Sequence, residues 1–119
     1  MADVVVEKDL ICVSDEIYEY YLYGGQQHVS MASFNNEIKK RMFVVNGTSK
    51  SYSMTGLRIG YLAGDVEVVK KIGILQDHST SNPTSISQKM AVAALRLPAS
   101  YREDVRAKFE NQGSRYVMY

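Results

Sequence analysis

The sequence predicts an α/β fold, on three observations. Residues 10–13 and 42–45 are short apolar runs of strand length, which read as buried strands of a parallel pair. Each run hands over at its carboxyl end to residues able to do chemistry, Asp15 after the first and Gly47 to Lys50 after the second. Open α/β sheets place their ligand sites at such strand ends. Farther along, Val66, Val69 and Ile72 recur at helical spacing, so helices follow the strands.

Taken in order, residues 9–15 read as the first strand, and residues 16–22 as a short helix or turn ending at Gly24-Gly25. Residues 26–37 are polar and irregular. The basic run Lys39-Lys40-Arg41, beside Ile38, is a solvated helix end. Residues 41–46 form the second strand and residues 58–63 a third. Asp65 is an N-cap for a helix running to about Gln76. Asn82-Pro83 starts another, with proline at the first helical position and Ile86, Met90, Ala93 and Ala94 on one apolar face. Ser100-Tyr101-Arg102-Glu103 fits a capping box. It opens a last helix with Val105 and Phe109 on one side and Gly113 weakening its end.

The chain of 119 residues is long enough for one modest domain with a core. A net charge of +1, with acids balancing bases, argues against nucleic acid or an anionic membrane as partner. No run approaches the roughly 18–20 apolar residues of a membrane span. Cys12 is the single cysteine and cannot pair internally, which suits a reducing compartment. The first residues lack a basic-then-apolar signal pattern, so cytoplasm is the expectation. His28 and His78 have no carboxylate or cysteine neighbours at metal spacing, and no metal site is expected.

The most informative stretch is Gly47-Thr48-Ser49-Lys50-Ser51-Tyr52-Ser53-Met54-Thr55-Gly56-Leu57-Arg58-Ile59-Gly60. One lysine lies among small and hydroxyl side chains, and an arginine flanked by glycines follows eight residues later. A lysine that forms and breaks a Schiff base needs small neighbours, so that a flat cofactor can approach the backbone. A permanently charged guanidinium suits a dianionic phosphate. This stretch resembles the pyridoxal-phosphate (PLP) attachment site of the class I/II, fold-type I aminotransferases. Asp15 and Tyr18, three residues apart after an apolar strand, match a second signature of that family. Residues 78–88, His-Ser-Thr-Ser-Asn-Pro-Thr-Ser-Ile-Ser-Gln, resemble its aspartate aminotransferase branch.

The resemblance implies roles residue by residue. Lys50 is the Schiff-base residue and moves the substrate's α-proton; otherwise it is a solvated loop lysine. Arg58 holds the cofactor phosphate by a forked contact; otherwise it is a surface arginine at a strand start. Thr48 and Ser49 add hydroxyl contacts, although hydroxyls are common in turns. The family often has serine where this chain has Gly47, so one phosphate contact is absent or comes from backbone. Asp15 keeps the pyridine nitrogen protonated, the alternative being a helix cap. Tyr18 bonds the ring oxygen, the alternative being one more aromatic in a stretch that includes Tyr20, Tyr21 and Tyr23. Thr80, Ser81 and Asn82 either approach a neighbouring subunit's site or cap a helix.

Only the second half of the family's large, PLP-binding domain is matched. The resemblance therefore implies a partial large domain of parallel strands with one antiparallel strand and surrounding helices. Residues 99–119 would begin the connector helix to a small domain that is absent. Nothing resembles the upstream Gly-rich phosphate loop, the aromatic residue that stacks on the cofactor or the Asn-Pro-Thr-Gly segment. The implied function is a fragment of an aminotransferase exchanging an amino group between an aspartate-like amino acid and a 2-oxo acid. Its rivals are a non-catalytic fragment that folds or oligomerises without turnover, and a related PLP enzyme. Arg58-Ile59-Gly60 counts against the carbon–sulfur lyases and leaves the aminocyclopropane-carboxylate synthases open. PLP binding is expected to be weak or absent in these residues alone. Self-association is expected, because part of a doubly wound domain leaves apolar strand faces without cover.

Overall fold

The computed structural model describes residues 1–116. Chain order is α1 (Ala2–Glu7), β1 (Cys12–Asp15), α2 (Asn36–Lys39), β2 (Met42–Gly47), β3 (Gly60–Ala63), α3 (Val66–Ser79), α4 (Ser85–Leu95) and α5 (Ala99–Tyr116). Among the described residues the sheet has the order β1-β2-β3. β1 runs parallel to β2, from Cys12 opposite Met42 to Asp15 opposite Val45. β3 returns antiparallel, from Val44 opposite Ala63 to Gly47 opposite Gly60. The expected parallel pair with one antiparallel strand is therefore the observed sheet. Its parallel register brings Asp15 and the end of β2 to the same sheet edge.

A small core lies beneath β1 and β2. Val5 of α1, Ile38 of α2 and Met42 of β2 are buried together, with Ala2, Cys12, Met31 and Ala32 packed around them. Ile38 and Met42 are each only 1% exposed. Asn35 caps α2, its side chain accepting from the Ile38 amide at 2.9 Å. α1 was not expected and of α2 only its basic end was, since six and four residues carry too little periodicity to separate from irregular chain. Residues 26–37 are thus not wholly irregular: they include a 3-10 turn at Met31–Ser33 and the start of α2. α2 ends at Lys39, as the basic run suggested, but Arg41 is tied down by Asp9 at 3.0 Å and Glu37 at 3.1 Å.

β1 departs from the expectation of a buried strand. Ile11, just before the strand, is 74% exposed and Val13 66% exposed, because alternate side chains face opposite sides of the sheet and only the Cys12 and Ser14 side is covered among the described residues. Residues 16–22 form turns rather than a helix, with Glu19 N bonded to Glu16 O and Tyr21 N to Tyr18 O. Gly24 and Gly25, both at positive φ, close that segment.

Asp65 caps α3 as expected, accepting from the amides of Glu67 and Val68. The helix continues past Gln76 to Ser79. α4 does not start at Pro83. Thr84 is its N-cap, and the proline lies outside the helix. Its inward face is not Ile86, Met90 and Ala93 but Ser87, Ala91 and Ala94. These lie at four- and three-residue spacing, and their small size lets the helix approach closely. Ala94 alone belongs to both sets.

α5 begins at Ala99, so Ser100 lies inside the helix and not at its cap. It runs past Gly113 to Tyr116, and residues 117–119 of the expected connector lie outside the described residues. Val105 is buried, whereas Phe109 stays half-exposed. The helix is docked by aromatic and charged contacts. Arg102 donates to Tyr52 Oη at 2.9 Å and lies 4.4 Å from the Tyr20 ring centre. Tyr101 stacks on Tyr52, and Phe109 meets Tyr21 edge-on.

Candidate active site

The site grows out of the end of β2. After Gly47 the chain coils back: Tyr52 N bonds Thr48 O, Ser53 N bonds Lys50 O and Met54 N bonds Ser49 O. Lys50 sits in the middle of this turn. Its carbonyl also accepts from Tyr21 Oη at 2.8 Å. Its ammonium lies 5.3 Å from the centre of the Tyr18 ring, within cation–π range. Gly47 is glycine for a steric reason. A Cβ there would lie 2.9 Å from Ile59 O and 3.1 Å from Gly60 Cα. The β2–β3 pairing is too close at that point to admit the serine that the resemblance led one to look for.

Asp15 ends β1 with its carboxylate exposed, and Oδ1 accepts from the Ile17 amide at 3.1 Å. Arg58 follows the 3-10 turn Thr55–Leu57 in a left-handed conformation, φ 50°. This region is sparsely populated by non-glycine residues and clusters at ligand sites. The guanidinium is steadied by one bond, Nη1 to Thr55 O at 2.9 Å, and otherwise stays exposed.

These residues share a cleft of about 460 Å³, lined by Asp15, Ile17, Ser49, Lys50 and Arg58 among others. A second cleft of about 510 Å³ lies beside it, walled by Tyr18, Tyr21, Tyr23 and Phe109. Ser49, Lys50 and Thr55 line both, so the Lys50 turn is the partition between them. Of the residues singled out in the sequence, Asp15, Ser49, Lys50 and Arg58 thus meet in one space, and Tyr18 faces Lys50 from the other. Thr48 is placed differently. It is buried behind the turn, outside both linings, and its Oγ1 has no hydrogen-bond partner.

The donor set fits PLP. One cleft offers a carboxylate to hold a pyridinium proton, a primary amine to condense with an aldehyde, and a guanidinium for a phosphate dianion.

Glu16 was not singled out in the sequence. It is buried, and it organises the segment that carries Tyr18 and Tyr21. Its Oε1 accepts from Ser14 at 3.0 Å and Ser30 at 2.7 Å, and its Oε2 meets His28 Nε2 at 3.0 Å. Burial pushes the carboxyl up, but the bonds from His28, Ser30 and Ser14 and the His28 charge outweigh it and hold it below its ordinary range. His28, expected to lack a carboxylate neighbour, thus has one supplied from 12 residues away. Glu19 completes a group whose ligand atoms lie within 4.8 Å of one another, and its Oε1 accepts from Asn46. No local pattern announces this network, because its members meet only after the turn closes. Ser87 is a second unannounced contact, donating to Leu57 O at 2.7 Å and fixing α4 to the segment just before Arg58.

Comparison with known proteins identifies the family. The family profile described as aminotransferase class I and II matches residues 1–116. The chain is 47% identical over 112 residues to an aspartate aminotransferase of Bacillus subtilis (strain 168), covering 94% of this chain and 28% of that protein. It superposes on the aspartate aminotransferase of Rhizobium meliloti with a TM-score of 0.87 and 35% identity, over 92% of this chain and 28% of the other. An aromatic aminotransferase from Pyrococcus horikoshii OT3 gives 0.86 and 35%, over 92% and 30%. The chain spans somewhat over a quarter of the length of the relatives it matches. It belongs to the class I and II aminotransferase family.

Proposed function

We propose that these residues are part of the PLP-binding large domain of an enzyme that transfers an amino group between an aspartate-like amino acid and a 2-oxo acid. In this reading α5 opens the connector to a small domain. The observation that carries it is the single cleft lined by Asp15, Lys50 and Arg58 at the carboxyl ends of β1 and β2. PLP, when bound, supplies an electron sink for charge developing at a substrate's α-carbon. Asp15 holds a proton on the ring nitrogen. Arg58 binds the phosphate, with Ser49 beside it. Tyr18, across Lys50 in the adjoining cleft, would offer its Oη to the ring oxygen. Lys50 Nζ would anchor the group and would carry the proton at the α-carbon. Thr48, enclosed behind the turn, has the smaller part. Among the described residues no helix is long and apolar enough to cross a membrane. The free, half-buried Cys12 thiol suits a cytoplasmic home.

In these 119 residues alone, phosphate affinity rests on Arg58 and a few neighbouring groups. An exposed ion pair in water contributes little. The chain by itself is therefore expected to show no transamination unless a partner supplies the missing parts, and borohydride trapping with PLP is expected to label several lysines without preference. Tight, stoichiometric labelling at Lys50 would contradict that. The function itself is tested in a chimera in which this chain replaces the matching 112 residues of the Bacillus subtilis relative. The chimera is expected to take up PLP and transaminate aspartate, and to lose both specific labelling and turnover with Lys50→Ala. A folded chimera that takes up no PLP would refute the assignment.

A further inference from the structure

We propose that Tyr21 is a positioning residue for Lys50, setting both the backbone of the lysine and the surface beneath its amine. The proposal rests on the reading of Lys50 as the reactive amine. Three contacts converge on this one side chain. Tyr21 Oη donates to the Lys50 carbonyl at 2.8 Å, across 29 residues of sequence. Its ring meets Tyr18 edge-on at 6.1 Å between centres, and Tyr18 is the ring over which the Lys50 ammonium lies. Its other side meets Phe109 of α5 edge-on at 5.1 Å.

The hydroxyl has a defined state for this task. Burial, with Tyr23 and Tyr18 adding to it, pushes the Tyr21 phenol up, so it remains a donor. The lysine side chain has four rotatable bonds and no other anchor at its backbone oxygen besides the Ser53 amide. Fixing that carbonyl fixes where the chain of methylenes starts. Bracing Tyr18 fixes where it ends. Because Phe109 lies on α5, the placement of that helix is mechanically linked to the lysine through Tyr21.

The test uses the 119-residue chain without cofactor. Trace acetylation with isotope-coded acetic anhydride, read by peptide mass spectrometry, gives a rate for Lys50 relative to the exposed Lys70 and Lys71. An amine held over a ring must leave it to attack, so loosening the hold raises its rate. Tyr21→Phe keeps the ring and removes the hydroxyl. It is expected to raise the Lys50:Lys70 ratio about two- to five-fold, the range an exposed cation–π contact carries. Tyr18→Leu should do the same, and the double variant should add little further. An unchanged ratio in Tyr21→Phe, or a uniform rise at every lysine, would overturn the proposal. The second outcome marks general loosening, which a lowered thermal midpoint would accompany. Since no cofactor enters, this outcome is independent of whether the chimera binds PLP.

Discussion

Replacing Gly47 by alanine tests the close approach of β2 and β3 just before the Lys50 turn. The new Cβ would meet Ile59 O at 2.9 Å, Gly60 Cα at 3.1 Å and Ile17 Cδ1 at 3.3 Å. The last is the tip of a flexible side chain and can yield. The first two are backbone atoms of the facing segment, where Gly47 pairs with Gly60 at the end of the ladder. Relief requires the strands to separate at that point. Overpacking of this kind costs about 1–3 kcal/mol. Loss of glycine's freedom in the unfolded chain returns about 0.4–1 kcal/mol. The net expectation is a destabilisation of about 1–2 kcal/mol, or roughly 4–10 °C in thermal midpoint for a domain of this size. Gly56→Ala is the control, because a Cβ there meets nothing within 4 Å and its φ is not positive. Urea and thermal unfolding followed by circular dichroism would read both. A Gly47→Ala midpoint equal to that of Gly56→Ala would refute the steric argument, and with it the explanation for glycine in place of serine.

Other outcomes follow from single contacts. The Glu16 carboxyl is held below its ordinary range, so its contribution is present above about pH 4.3, the unfolded value, and is lost as pH falls through the lower folded value. Glu16→Gln should therefore cost about 1–3 kcal/mol at pH 7, and urea midpoints of native chain and variant should draw together as the pH is lowered stepwise below that of the unfolded carboxyl. A gap that stays constant with pH would reject the linkage. Ser87→Ala leaves Leu57 O without its donor and should cost about 1–2 kcal/mol, whereas an unchanged urea midpoint would show that water replaces the hydroxyl. The exposed β1 edge should drive self-association at micromolar concentration, measurable by light scattering. Ile11→Lys with Val13→Lys should shift the chain toward monomer, and a native chain already monomeric would defeat this expectation.

Local pattern carried a definite share of this structure. Apolar runs of strand length marked β1 and β2, because a strand buried by its neighbours must be apolar along its length. Asp65 marked the start of α3, because capping needs a short acceptor at one position. The lysine and arginine motif, with Asp15 upstream, named candidate residues that the folded chain brings to one cleft, since their order along the chain is local information. What only the folded chain decided is set by contacts between distant segments. α4 turns Ser87, Ala91 and Ala94 inward rather than its larger residues, because close approach to the segment before Arg58 selects small side chains. β1 is exposed although apolar, since burial depends on a neighbour and not on composition. Glu16 with His28, and Tyr21 with Lys50, are separated by 12 and 29 residues. Hydrogen bonds across such separations depend on where the turns between them close, and no window of sequence contains that information.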